Sequence, residues 1–156
     1  MDTDDRIIRQ HMQSFGYLLS SSHALFRQWM ERAIAGSGIH LGQVVVLATL
    51  RAERLSGGGD MTQTRLAQLS GIEKSSLVLF LDALEKDGWV ERRSHPADRR
   101  AHLVHLTGDG LARFEVIGGK LFANEQKALA IFDEAERAQF MTLLTRLRVH
   151  LKDPGS

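Results

Sequence analysis

The chain of 156 residues contains no cysteine, which excludes disulfide bonds, thiolate metal sites and thiol-based redox sensing. It also lacks long apolar runs, since none approaches the roughly 18 residues that a membrane-spanning helix needs. A marked excess of charge is absent as well. The formal net charge of +1 is too small to indicate a nucleic-acid partner by itself, so only local clustering of charge could do so.

The amounts of apolar and charged residues, 43% and 25%, are ordinary for a globular protein. A chain of this length can bury one core without covalent staples. The first ten residues, MDTDDRIIRQ, are acidic where a secretory signal would be basic and then apolar. We therefore expect a single soluble domain in the cytoplasm, with no export and no membrane partner.

The N-terminal part of the chain predicts two helices. Apolar or small residues recur with helical spacing from Ile7 to Ile34, which predicts a helix of about 28 residues that ends at Gly36–Gly38 and could bend at Gly16. The next segment, Leu41–Leu50, is apolar nearly all round and should occupy the centre of the fold. The glycine run in Ser56–Asp60 lacks the flanking motif of a phosphate-binding loop, so it is interpreted as a plain loop.

Two short helices with a tight turn between them follow this loop. Thr62 is placed to cap a helix that runs to about Leu69, and Met61 is placed to pack on Leu66 as a hydrophobic staple. The turn Ser70-Gly71-Ile72 contains a glycine that allows a sharp corner, and Ile72 should plug the core. This arrangement predicts a helix-turn-helix.

The second of these helices, Lys74 to about Asp87, has a clear division of faces. Its buried side is predicted to consist of Leu77, Phe80, Leu81 and Leu84, so the opposite side faces outward. The N-terminal end of such a helix meets bases and phosphates in helix-turn-helix proteins, although serines there can also serve simply to start the helix. The outward residues are Lys74, Ser75, Ser76, Val78, Leu79 and Asp82.

A basic hairpin comes next. Trp89–Arg93 and His102–Thr107 are predicted strands, because the second alternates apolar and polar residues with a period of two. The loop between them, Ser94–Ala101, carries proline and aspartate that suit a turn. A hairpin directly after a helix-turn-helix is the order that a winged helix requires.

The segment Thr62–Thr107 closely resembles the DNA-binding core of MarR-type bacterial transcriptional regulators. The most specific match is Asp98-Arg99-Arg100 followed by Val104-His105-Leu106-Thr107. The resemblance implies that Arg100 enters the minor groove at the tip of the wing and that Asp98 holds its guanidinium. Arg92, Arg93 and Arg99 are then predicted to contact phosphates, the alternative being a solvated charged hairpin.

Val78 and Leu79 depart from many members of this family, in which a polar residue or an arginine often falls there. They can offer DNA only apolar contact, for example to thymine methyl groups, so these residue types do not specify a base sequence. The full set of predicted DNA contacts is Thr62, Gln63, Thr64, Lys74, Ser75, Ser76, Val78, Leu79, Arg92, Arg93, Asp98, Arg99 and Arg100.

The C-terminal part predicts two more helices, one capped by Thr107 and one introduced by Asp133 and Glu136 at capping-box spacing. The apolar stripes at both ends of the chain exceed what the winged unit alone can cover, which predicts a homodimer. The predicted fold is therefore mostly α with a small β-hairpin wing (α+β). The resemblance assigns residues 1–36 and 108–152 to dimerisation and residues 41–107 to DNA binding.

The resemblance implies a dimeric repressor of a palindromic operator, relieved by a small aromatic or phenolic ligand. Cofactors, metals and catalysis are not indicated, since no nucleophile or acid pair has a recognisable setting, and His102 and His105 point to opposite faces of their strand. The alternatives are a winged module for nonspecific DNA or protein contacts, and a small hydrolase with an unrecognised site. The ligand cleft could be lined by Phe26, Trp29, Met30, His40 and Val44, whose apolar members could equally be core.

Overall fold

The computed structural model describes residues 10–95 and 102–152. Contacts between residues divide the chain into two units, Met1–Leu121 and Phe122–Ser156. Helices dominate, and the small antiparallel sheet confirms the predicted mostly α fold with a β-hairpin. The elements are α1 (Phe15–Ala33), α2 (Leu41–Leu55), β1 (Met61–Thr62), α3 (Gln63–Ser70), α4 (Lys74–Lys86), β2 (Val90–Ser94), β3 (His102–Leu106), α5 (Gly108–Leu129) and α6 (Glu134–Lys152).

Helix α1 starts later than predicted. Residues 10–12 are helical, but residues 13 and 14 form a turn, so the predicted continuous helix through this region is wrong. The Ser14 side chain accepts a hydrogen bond of 3.3 Å from the backbone N–H of Tyr17 and thereby caps α1. A serine can satisfy the backbone in this way instead of continuing the helix, so the chain breaks just before Gly16.

Helix α2 lies at the centre of the first unit, as its apolar composition predicted. Val44, Val46, Leu47 and Leu50 are buried along it. The one buried polar residue of the helix, Gln43, accepts a hydrogen bond of 2.9 Å from the backbone N–H of His40, which satisfies its carbonyl group. Helices α1, α3 and α4 each contact α2, so the core of this unit is built around it.

The sheet has three strands in the order β1-β3-β2, all antiparallel. The β2–β3 hairpin confirms the predicted wing strands and pairs Val90 with Leu106 and Ser94 with His102. Strand β1 was not predicted. Its two residues pair with Val104 and Leu103, and a strand of that length is too short to show the alternation by which strands are recognised.

Helix α5 packs closely against the start of the hairpin. The Thr107 hydroxyl accepts a hydrogen bond of 2.9 Å from the Gly110 N–H and donates one of 2.8 Å to the Gly88 carbonyl, which confirms the predicted cap. A Cβ atom on Gly110 would lie only 2.0 Å from the Trp89 carbonyl oxygen. Only glycine permits this approach, so Gly110 fixes the hairpin at the base of α5.

The second unit contains the end of α5 and helix α6. Asp133 and Glu136 form the predicted capping box, with reciprocal hydrogen bonds of 2.9 and 3.0 Å. Helix α6 buries none of its residues. Among the described residues, no helix is long and apolar enough to cross a membrane. The large apolar residues exposed on α6 are Phe140, Met141, Leu143, Leu144, Val149 and Leu151.

Candidate nucleic-acid interface

Helices α3 and α4 form the predicted helix-turn-helix. The Thr62 hydroxyl caps α3 by accepting a hydrogen bond of 3.2 Å from the Arg65 N–H. Gly71 ends α3 in the left-handed region with a φ of 69°, which residues other than glycine rarely adopt. Ile72 then packs against the core, as predicted. The left-handed backbone of Gly71 and the apolar contact of Ile72 with the core therefore fix the corner between the two helices.

Helix α4 has the two faces that its sequence predicted. Leu77, Leu81 and Leu84 are almost completely buried, and Phe80 is partly buried against the same core. On the opposite side, Leu79 is 68% exposed. This burial pattern fixes the rotation of α4 about its own axis, so the side chains opposite the buried leucines face outward, away from the core.

The N-terminal end of α4 combines helix-start contacts with exposed polar groups. Glu73 precedes the helix, and the Ser75 hydroxyl donates a hydrogen bond to its carboxylate. That side-chain hydrogen bond, aided by the Ser75 backbone, lowers the pKa of Glu73 below its usual value. Lys74 is exposed and Ser76 is half-buried. Ser75 thus already serves to start the helix, and a role of these residues in DNA contact stays a prediction.

Arg92 of strand β2 ties the hairpin to α4. Its guanidinium pairs with Asp82 at 2.6 Å and with Glu85 at 2.7 Å, and its backbone N–H donates to Glu85 at 2.9 Å. Burial alone would lower the pKa of Arg92, but the hydrogen bonds to the Asp82 and Glu85 carboxylates outweigh the effect of burial, and the pKa of Arg92 is raised. The Arg92 side chain is only 19% exposed, and its contacts with Asp82 and Glu85 hold the hairpin against α4. Its predicted phosphate contact would have to be made from this anchored position.

A second polar cluster joins the loop before β1 to the hairpin. Asp60 accepts hydrogen bonds from Arg93 at 3.3 Å and contacts His105 Nδ1 at 2.6 Å, while Arg93 also pairs with Glu91 at 3.0 Å. The hydrogen bond from Arg93 lowers the pKa of Glu91. The sequence did not predict this cluster, because Asp60 and His105 are 45 residues apart and carry no local motif. Beside it lies a cavity of about 170 Å³ lined by Leu50, Arg54, Gly58, Gly59, Asp60, Val104, His105 and Leu106.

The predicted tip of the wing lies outside the described residues. This applies to Asp98, Arg99 and Arg100, so their minor-groove and phosphate contacts stay predictions. The strands that lead into the tip are described up to the pair Ser94 and His102. At the start of α3, Gln63 is half-buried and Thr64 is exposed, on the same end of the helix that Thr62 caps.

The five residues predicted to line a ligand cleft are in different environments. Met30 and Val44 belong to the buried core, which favours the interpretation that these two are core residues and do not line a ligand cleft. Phe26 and Trp29 are exposed on α1, and His40 caps α2. A large open cavity of about 560 Å³ on the polar side of α1 is lined by His23, Ala24, Arg27, Gln28, Glu31 and Arg32, and so by none of the five.

Comparison with known proteins gives three kinds of match. Residues 39–102 match the model of a family described as the MarR family. The chain is 31% identical over 106 residues to the uncharacterized HTH-type transcriptional regulator YwoH of Bacillus subtilis, covering 68% of this chain and 73% of YwoH. Of solved structures, the transcriptional repressor CouR bound to a 23-mer DNA duplex is 26% identical, with a TM-score of 0.78 over 89% of this chain and 95% of CouR.

A further solved structure concerns Bordetella bronchiseptica BpsR, whose DNA binding is regulated by 6-hydroxynicotinic acid. It is 25% identical to this chain, with a TM-score of 0.76, and the match covers 85% of this chain and 97% of BpsR. The similarity to BpsR and CouR therefore extends well beyond the residues that match the family model.

Proposed function

Because the chain belongs to the MarR family of transcriptional regulators, we propose that it is a homodimeric, sequence-specific repressor that a small aromatic ligand releases from its operator. Proteins of this family regulate transcription and are not enzymes. The chain is accordingly a DNA-binding regulator.

The outward face of α4 is the observation that carries the proposal. Its opposite face is locked into the core by Leu77, Leu81 and Leu84, and Arg92 holds the hairpin beside it. An exposed helix in this position can enter the major groove while the hairpin reaches the neighbouring backbone. CouR, which has a similar fold, binds a 23-mer DNA duplex, and this supports DNA binding by the present chain. Lys74 and the predicted wing arginines would supply the phosphate contacts that position the helix without specifying sequence.

Exposed apolar stripes support the homodimer. On α1, Phe15, Leu18, Leu25 and Trp29 lie at spacings of three, seven and four, which places them on one side of the helix, and each is exposed within the single chain. Helix α6 likewise exposes Leu143, Leu144 and Leu151 and buries none of its residues. A stripe of exposed apolar residues on one side of a helix is typical of an interaction site. A second copy related by a twofold axis would cover these apolar stripes. It would also place the two copies of α4, the reading helices that contact the bases, about 34 Å apart.

A ligand response is proposed by analogy with BpsR, whose DNA binding is regulated by a small aromatic acid. A ligand can weaken DNA binding if it binds more tightly to a dimer in which the reading helices have the wrong spacing. The loss of DNA-binding free energy cannot exceed the difference in the ligand's binding free energy between the two dimer states. Phe26 and Trp29, which are exposed on α1, remain the candidates for contact with such a ligand. Met30 and Val44 would support it from the core.

Selection of bound sequences from random duplex DNA, followed by titration over a salt series, tests the proposal. A sequence-specific repressor should prefer its selected operator by about a thousand-fold or more over random duplex, and both affinities should fall as salt rises. Equal affinities for the two would instead indicate a nonspecific DNA-binding module. Negligible binding to either would indicate a module for protein contacts.

A further inference from the structure

One stripe along α4 faces directly away from the core. Ser75, Leu79, Asp82 and Lys86 follow one another at spacings of four, three and four residues, which places them on the same side of the helix. Leu79 lies in the middle of this stripe with 68% of its surface exposed, and Val78 beside it is 43% exposed. The centre of the surface proposed to meet DNA is therefore apolar.

The polar neighbours of Leu79 on this stripe are already engaged within the protein. The Ser75 hydroxyl donates to Glu73, and the Asp82 carboxylate accepts a hydrogen bond of 2.6 Å from Arg92. The Arg92 guanidinium, which also pairs with Glu85, offsets part of the Asp82 charge that would otherwise repel the phosphates flanking a groove. Lys86 lies about 10 Å further along the helix, at the end away from the bases that a reading helix contacts.

The chemistry of the major groove limits what an apolar side chain can recognise there. Base edges present hydrogen-bond donors and acceptors, and the 5-methyl group of thymine is the apolar feature among them. A leucine can bury that methyl group but cannot replace the water that hydrates a donor or an acceptor. Contact with other base edges would leave their polar groups unsatisfied, so a protruding leucine discriminates in favour of thymine.

We propose that Leu79, flanked by Val78, reads the methyl group of a thymine in each half-site of the operator. The proposal rests on the proposed function, because it requires α4 to enter the major groove. It makes Leu79 a specificity-determining residue, in a stripe whose neighbouring polar residues, Ser75 and Asp82, form hydrogen bonds within the protein. Recognition of this base pair depends on burial of a methyl group and not on a bidentate hydrogen bond.

Deoxyuridine provides the test, because it pairs as thymidine does and lacks only the methyl group. Each thymine of the selected operator is replaced in turn by deoxyuridine, and the dissociation constant of the unmodified protein is measured for each duplex. Burial of one methyl group corresponds to about a four-fold change in affinity. One thymine in each half-site should therefore show a loss of about four-fold when it is replaced alone, and replacing both together should give about fifteen-fold.

Two variants locate the effect on the protein. In Leu79→Ala the deoxyuridine duplex should bind as well as the thymidine duplex, because the group that contacted the methyl is gone. Leu55→Ala serves as the matched control, since Leu55 is an exposed leucine of α2, outside the proposed interface. It should retain the full four-fold difference. Circular dichroism of each variant checks that the fold is unchanged.

Binding to the unmodified operator separates this inference from the proposed function. If no operator is selected over random DNA, the proposed function has failed. If the operator binds specifically but every deoxyuridine duplex binds equally well, the thymine contact is wrong although the regulator assignment stands. A deoxyuridine effect of the same size in Leu79→Ala would also overturn the assignment to Leu79.

Discussion

Replacing Leu79 with glutamate is expected to weaken operator binding about a hundred-fold. The variant removes an apolar contact and places a carboxylate where the groove is flanked by phosphates, and like charges brought together at an interface cost several kcal/mol. The fold should not change, because Leu79 is 68% exposed and the buried side of α4 is untouched. Fluorescence anisotropy with labelled operator measures the affinity, and sedimentation checks the oligomeric state.

Leu55→Glu is the matched control for this experiment. Leu55 is 71% exposed at the end of α2, so the substitution adds the same charge to the same residue type away from the proposed interface. Its operator affinity should stay within about two-fold of the unmodified protein, since distant exposed charges are screened by salt. Equal losses in the two variants would show that net charge alone is responsible, and an unchanged affinity for Leu79→Glu would exclude α4 as the reading helix.

The double substitution Leu18→Glu and Leu25→Glu is expected to raise the dissociation constant of the homodimer at least about a thousand-fold. The two side chains are 51% and 65% exposed within the chain and lie on one stripe of α1. A twofold interface would bring four new carboxylates into apolar surroundings, where each unpaired charge is costly. Because the leucines do not belong to the core of the single chain, the variant should fold as a monomer.

Sedimentation velocity at micromolar concentration measures this change, and operator affinity should fall with it because a monomer engages only one half-site. Leu55→Glu again controls for the added charge and should remain a dimer. A double variant that sediments as a dimer would place the interface elsewhere. An unmodified protein that sediments as a monomer would contradict the homodimer itself.

Local features of this fold were predictable because short segments of sequence determine them. The caps at Thr62, Thr107 and Asp133 were predicted from residue type and spacing, and each has the expected hydrogen bond. The buried face of α4 followed from the helical period of its apolar residues. The break at Ser14 was missed, because the apolar pattern continues across it and only the capping hydrogen bond interrupts the helix.

The features that sequence could not predict depend on contacts across the chain. Arg92 was expected to point to phosphates, yet its nearest partners are Asp82 and Glu85 of α4. The contact of Asp60 with His105 brings together two residues separated by the helix-turn-helix and by strands β1 and β2. Neither arrangement has a local pattern, since each arises only when the hairpin has packed on the helices.

Hydroxyl-radical footprinting of the selected operator tests most directly whether two copies of α4 and its hairpin lie against one face of the duplex. Two chains per duplex and two clusters of protection, centred about one helical turn or 34 Å apart on the same face, are the predicted result. One cluster, one bound chain per duplex, or protection on opposite faces would contradict the account.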